Sequence, residues 1–222
     1  MRVVSEEAPD KSTSINLLER IQAAFFFKDW SIPLYARRYY FCFGGITFFL
    51  FVIQAITGAI LTIYYVPSVE KAYASVYYVH HYVNYGWLIR SIHYWSANLM
   101  IIFVLLHTLR VFITGSYKKP REFNWVIGVF LFGLVFGFSV TGSFLPWDQK
   151  SFWVTTVMFS FLKKIPMIGT FFYQIMIGDD VLGQTALTRF FSFHIMILPA
   201  IIVFFLALHF YIVRKQGISR PL

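Results

Sequence analysis

Four long stretches carry no charged side chain: Tyr39–Val69, Ser91–Leu109, Phe123–Trp147 and Phe190–Val213, of 31, 19, 25 and 24 residues. A transmembrane helix needs about 20 apolar residues to cross about 30 Å of hydrocarbon. Backbone groups inside lipid must also be satisfied internally, which for a single segment means a helix. The pattern predicts an all-α membrane protein, a four-transmembrane-helix bundle with spans over about 40–66, 88–114, 123–145 and 190–213. Composition agrees. The chain is 58% hydrophobic and 13% charged, about half the charge of an average globular domain, which excludes a soluble domain and a disordered tail. The net charge of +9 falls in short clusters between apolar stretches rather than on one solvated face, so no nucleic acid is expected as a partner.

Two further segments fall short of spanning. Residues Ala72–Ile89 lack charge but contain His80, His81, Asn84 and six tyrosines and tryptophans, which reads as an interfacial loop. Residues Ile165–Gly178 number only 14 and include Pro166 and Gly169, which reads as a surface or re-entrant piece. The first 20 residues are polar and of mixed charge, so no secretory signal is expected there. Residues 1–38 read as an N-terminal cytoplasmic or interfacial segment, and 39–222 as the four-helix domain. Basic clusters set the orientation. Arg37 and Arg38, then Lys118, Lys119 and Arg121, then Arg214, Lys215 and Arg220 all fall on one side if both termini are cytoplasmic.

Histidines supply the chemistry. His93 and His107 lie 14 residues apart on the second span, and His194 and His209 lie 15 apart on the fourth. A helix wound at 3.5 residues per turn returns to the same face after 14 residues, about 21 Å further along. The second and fourth spans run in the same direction, from outside to inside. His93 therefore matches His194 near the outer face, and His107 matches His209 near the inner face. Intramembrane histidine is costly and marks function by default. A single one is as readily a packing histidine, but four at matched depths define two sites. Di-iron bundles need carboxylates, and no Asp or Glu lies in the four stretches. Paired imidazoles without acidic or soft neighbours suit two bis-histidine b-type haems, with His93 and His194 on the outer iron and His107 and His209 on the inner.

Three features accompany these pairs. Gly44 and Gly58 on the first span, and Gly128 and Gly142 on the third, also repeat at 14 residues, and glycine permits the close backbone approach that a haem plate needs. Gly44 and Gly128 go with the inner pair, Gly58 and Gly142 with the outer. Small-residue helix packing is the alternative, and it is the reading given to Gly133 and Gly137. Arg90 lies three residues outward of His93, and Arg110 three inward of His107, where haem propionates would emerge. A snorkelling arginine is compatible with that role. Finally, the fifteenth residue between His194 and His209 rotates the second ligand by roughly 60–100°. Pro199 lies between them, and a kink or bulge there would absorb the rotation.

The segments CFGGITFF (Cys42–Phe49), GWLIRSIHYWSA (Gly86–Ala97), YKKPRE, TGSFLPWDQ (Thr141–Gln149) and GQTALTRFFSFH, ending at His194, together with the four histidines, closely resemble cytochrome b. The spacing of 15 and the ending RKQGIS resemble the short, split cytochrome b6 type, and the likeness covers nearly everything after about Lys28. The resemblance implies the core subunit of a quinol:cytochrome c (or plastocyanin-type acceptor) oxidoreductase, inactive alone. Two electrons leave a quinol at an outer site: one goes to a Rieske iron–sulfur protein, the other crosses the membrane to an inner quinone-reduction site, and proton translocation is coupled to both. A c-type cytochrome subunit and a dimeric complex in an energy-transducing membrane are implied. A bacterial plasma membrane is the first choice, with a thylakoid the alternative. The outer quinol pocket is implied at Gly142, Pro146 and Trp147. Relatives often carry tyrosine after this glycine, where Ser143 stands here. The Pro-Glu-Trp-Tyr segment whose glutamate accepts a quinol proton does not occur in the sequence, which implies a three-helix subunit IV-type partner carrying it.

Cys42 is the only cysteine, so no internal disulfide and no Cys-x-x-Cys-His attachment is available. Read alone it is a small buried hydrophobe. The resemblance instead implies a third, covalently attached c-type haem on Cys42, with Arg214 near its propionates or the inner quinone. Two other functions remain to be separated. A proton-relay transporter would need broken helices or internal repeats, and neither is visible; a dihaem anchor subunit for a dehydrogenase is the nearer rival.

Overall fold

The structure, a computed structural model, describes residues 42–217. The expected N-terminal segment with Arg37 and Arg38, as well as Arg220, lies outside the described residues. The helices are α1 (Phe43–Thr62), α2 (Ala72–Tyr82), α3 (Gly86–Ile113), α4 (Glu122–Phe144), α5 (Gln149–Lys163), α6 (Gly169–Met176), α7 (Gln184–Ser192) and α8 (Leu198–Gln216), with a π-helical turn at Phe193–Ile197 joining the last two. Four helical stretches are long and apolar enough to cross a membrane: α1, α3, α4 and the continuous Gln184–Gln216. α1 packs on α3 and α4 on α8, and an α3–α4 contact joins the two pairs.

Apolar residues cover both the inside and the outside of this bundle. Leu50, Met100, Val104, Leu131, Val135 and Ile202 form its core. Phe49, Ile56, Val126, Phe136 and Phe204 are more than half exposed, which in water would be one large apolar patch. Lipid is the solvent that tolerates such a surface.

At the end of the bundle where α3 turns into α4, the Arg121 guanidinium donates to the Gln216 carbonyl at 3.4 Å. The Gln216 side-chain amide donates back to the Pro120 carbonyl at 3.1 Å. The basic α3–α4 turn and the basic end of α8 therefore share one end of the molecule.

The opposite end is more helical than composition suggests. Residues 72–82 form a helix rather than a loop, because Ala72, Ser75 and Val79 recur at helical spacing and are all buried. Its many aromatic side chains obscure that period in the sequence. The α4–α8 connection holds a second unexpected helix, α5, which buries Ser151, Thr155 and Phe159 along one face. The short piece after it contains α6, whose first residue, Gly169, packs so tightly that a Cβ would run into the Leu162 carbonyl. Phe144, Phe159, Ile177, Ala186 and Phe190 form a separate core that binds these helices to the outer end of α4.

The fourth span contains the irregularity that its spacing requires. The Leu198 N–H donates to Phe193, five residues back, directly before Pro199, which has no N–H and would crowd the carbonyl four residues earlier. A π turn takes in one extra residue, about 100° of rotation, and so cancels the fifteenth residue between His194 and His209. The small-residue packing expected of Gly133 does not occur: its Cβ position meets nothing within 4 Å, whereas Gly137 abuts Leu198 at 3.9 Å.

Asp148 caps α5, its carboxylate accepting from the Ser151 N–H at 2.7 Å. Asp148→Ala is expected to cost about 1 kcal/mol and to lower Tm by roughly 2–4 °C, measured by circular dichroism in detergent.

Candidate haem-binding site

The four expected glycines face the four expected histidines. A Cβ built on Gly44 would lie 3.0 Å from Cε1 of His107, and one on Gly58 would lie 3.2 Å from Cε1 of His93. On the other pair of spans, the corresponding distances are 3.7 Å from Gly128 to His209 and 2.6 Å from Gly142 to His194. Gly44 and Gly128 thus stand at the level of His107 and His209, and Gly58 and Gly142 at the level of His93 and His194. At each of the four glycines an imidazole ring of the neighbouring span occupies the space that a side chain would otherwise fill. Histidines from opposite sides of the bundle approach each other as pairs. His107 and His209 lie within electrostatic reach of one another, and so do His194 and His93. Among the described residues, no group of three or more His, Cys, Asp or Glu side chains comes together.

Side chains that the sequence reading missed hold the outer rings. Thr57 lies 2.8 Å from Nδ1 of His93, and Thr141 lies 3.0 Å from Nδ1 of His194. Gln54 donates to the His93 carbonyl at 2.5 Å and to Ser96 at 2.6 Å, tying α1 to α3 at that level. A signal for the threonines was present, since each directly precedes its glycine: Thr57-Gly58 and Thr141-Gly142. At the inner level a cavity of about 270 Å³ opens between the spans, lined by Gly44, His107, Arg110, Asn124, Gly128 and His209 among others. Nδ1 of His107 and Nδ1 of His209 are buried there without a hydrogen-bond partner among the described residues.

A family model described as cytochrome b/b6/petB matches residues 30–217. The chain belongs to the cytochrome b family. It is 49% identical over 191 residues to cytochrome b6 of Trichodesmium erythraeum (strain IMS101), covering 86% of each chain. It is 47% identical over 183 residues to the menaquinol:cytochrome c reductase cytochrome b subunit of Bacillus subtilis (strain 168), covering 82% of each. Among solved structures, a chain of a hyperthermophilic respiratory complex III aligns with a TM-score of 0.75 at 29% identity, covering 96% of this chain. This chain spans 55% of that neighbour.

Family membership implies b-type haem, and the residues of this cytochrome b fit it. Each level offers two histidines from different spans, with a glycine of the neighbouring span beside each ring. These are the donors that a bis-histidine iron requires.

The remaining sequence-picked residues are distributed around the two levels. Arg110 lines the inner cavity with His107. Arg90 is partly buried near the outer end of α3, with Nη1 3.5 Å from Nδ1 of His80 on α2. Cys42 is exposed and stands immediately before α1. Arg214 is exposed near the end of α8. Pro146 and Trp147 follow α4 directly, and Trp147 takes a left-handed backbone with φ of 51°, uncommon for a bulky residue. Beside it the Tyr65 hydroxyl, beyond the end of α1, donates to the Leu145 carbonyl at 2.7 Å. Burial pushes the Tyr65 phenol up, so it stays a neutral donor at physiological pH.

The glycine contacts rank the expected damage from alanine. Gly142→Ala should remove more than half of the outer haem, Gly44→Ala and Gly58→Ala less of their respective haems, and Gly128→Ala little. Pyridine haemochrome content per purified polypeptide, with low-temperature difference spectra to separate the two haems, measures the series.

Proposed function

We infer that this chain is the cytochrome b subunit of a membrane quinol:cytochrome c-type oxidoreductase, holding two b haems at two depths. The observation that supports the reading is the set of four imidazoles, each set against a glycine of the neighbouring span, grouped in two pairs at two levels of the bundle. Bound haems would supply one-electron transfer along the membrane normal. The chain's own part is positional: His93 with His194, and His107 with His209, would present their Nε2 atoms to iron, and the glycines would fix the rings. Arg90 and Arg110 would pair with propionates on the outer and inner sides.

The outer quinol pocket is assigned to the end of α4, at Gly142, Pro146 and Trp147. The Tyr65 hydrogen bond to Leu145 and the Trp147 backbone would hold its wall, and a partner subunit of subunit IV type would complete it with the Pro-Glu-Trp-Tyr glutamate. A Rieske protein and a c-type cytochrome would take the other electron of each quinol. Basic residues on the α3–α4 turn and the end of α8 support an inner, cytoplasmic end with the inner quinone site beside it. A dimeric assembly in an energy-transducing membrane completes the proposal.

The purified complex is expected to show two reducible b haems in a reduced-minus-oxidised spectrum and to reduce cytochrome c from menaquinol. His194→Leu is expected to remove one haem and lower turnover by at least 100-fold. The haem-loaded chain without partners should be inactive. Absence of b haem in the complex, or turnover by the chain alone, contradicts the proposal.

A third haem is proposed on Cys42. Its exposure two residues before Gly44, the glycine set against His107, supports a thioether bond formed by addition of the thiol across a haem vinyl group. Haem should stay on the polypeptide through denaturation and acid–acetone extraction, and Cys42→Val should abolish haem staining on a denaturing gel while both b haems remain. Complete extraction from the unmodified chain contradicts the assignment.

A further inference from the structure

The outer and inner histidines differ in what holds the ring nitrogen turned away from the iron position. A threonine hydroxyl has one proton, and Thr57 donates it to the Ile53 carbonyl at 2.7 Å. Thr141 donates its proton to the Gly137 carbonyl at 2.8 Å. Each hydroxyl is therefore left as an acceptor, and takes the Nδ1–H of His93 or of His194. This fixes both outer rings as Nδ1–H tautomers with Nε2 free for a metal. Both threonines are buried, at 7% and 8% exposed, so no bulk water competes for the contact.

The inner rings have no such hydroxyl. The residues before Gly44 and Gly128 are Phe43 and Ile127, and Nδ1 of His107 and Nδ1 of His209 have no hydrogen-bond partner among the described residues. The Asn124 carbonyl offers His209 an acceptor as the Phe138 carbonyl does His194, so the contrast between the two levels rests on the two threonines. Accepting the Nδ1–H of a ligating imidazole makes that imidazole a stronger donor, which favours ferric over ferrous iron.

We propose that Thr57 and Thr141 are positioning residues that lower the midpoint potential of the outer haem relative to the inner one and so make inward electron transfer downhill. The inference rests on the bis-histidine haem reading of these four residues. Of the two, Thr57 has the larger effect, because the Phe138 carbonyl also faces His194 and offers it a second acceptor once Thr141 is gone.

Redox titration of the intact, haem-replete complex, following both b haems optically and by electron paramagnetic resonance, tests this. Thr57→Val should raise the outer midpoint and leave the inner one in place. The expected change is about threefold to tenfold in the ferrous-to-ferric ratio at fixed ambient potential, tenfold being 59 mV for one electron. Thr57→Ser should restore the original value, and Thr141→Val should shift it less. The reciprocal variant leaves the outer site intact: Ile127→Thr creates the Thr-Gly pair on the inner side and should lower the inner midpoint. Unchanged midpoints in a haem-replete Thr57→Val/Thr141→Val double variant, or in Ile127→Thr, overturn the inference. A wild-type complex lacking one of the two b haems would instead overturn the functional reading beneath it.

Discussion

The bundle depends on four places where a side chain is missing. A Cβ at Gly142 would lie within 2.6 Å of the His194 ring and one at Gly44 within 3.0 Å of the His107 ring, closer than side-chain carbons normally approach. Each contact fixes two things at once. It sets the depth at which one span passes its neighbour, and it sets the rotation that points an imidazole inward. Two tight contacts 14 residues apart on α1, and the tightest of all at Gly142 on α4 with a looser one at Gly128, hold both helix pairs in antiparallel register. The two levels then stand about 21 Å apart along the helices, separated by an apolar layer that includes Leu131, Val135 and Ile202.

Lipid makes that register more consequential than it would be in water. Helices in a bilayer gain little from burying apolar surface against one another, so close packing and hydrogen bonds carry the association. Gln54 spans from α1 to the backbone of His93 and to Ser96, and Thr57 and Thr141 tie outer rings to the opposite helix. On the fourth span, the π turn at Phe193–Ile197 brings a 15-residue interval back to the angular register of a 14-residue one. Without it, His194 and His209 could not both face the bundle interior.

Outside the four spans, the described residues build a cover over one end. α5, α6 and α7 gather around Phe144, Phe159 and Phe190. Arg189 donates to the Gln174 and Ile175 carbonyls at 2.6 and 2.9 Å, closing the end of α6. Gln184 takes the Val69 N–H at 3.0 Å and donates to the Pro67 carbonyl at 2.8 Å, which fastens the α1–α2 loop to α7. These ties converge on the side of the bundle where Pro146 and Trp147 emerge from α4. The inner end, with its cavity between spans and the basic end of α8, has no comparable lid among the described residues.

Much of this was determined by sequence alone, because it follows from periodicity. Uncharged length is enough to count the spans, and an interval of 14 residues is enough to place His93 with Gly58, and His107 with Gly44, on facing stripes. The interval of 15 with Pro199 inside it called for a local bulge, since an α-helix cannot hold that spacing on one face. Amphipathic periods hidden by composition were harder to read: the aromatic residues of 72–82 and the mixed segment 149–163 are helices whose buried positions stand out only against their neighbours. Tertiary structure alone decided which imidazole stands against which glycine, and how closely. It also decided which buried hydroxyl meets which Nδ1. Those contacts join residues 36 and 53 positions apart, and the direction of a hydroxyl proton is set by the carbonyl it finds in the folded helix, which no spacing rule encodes.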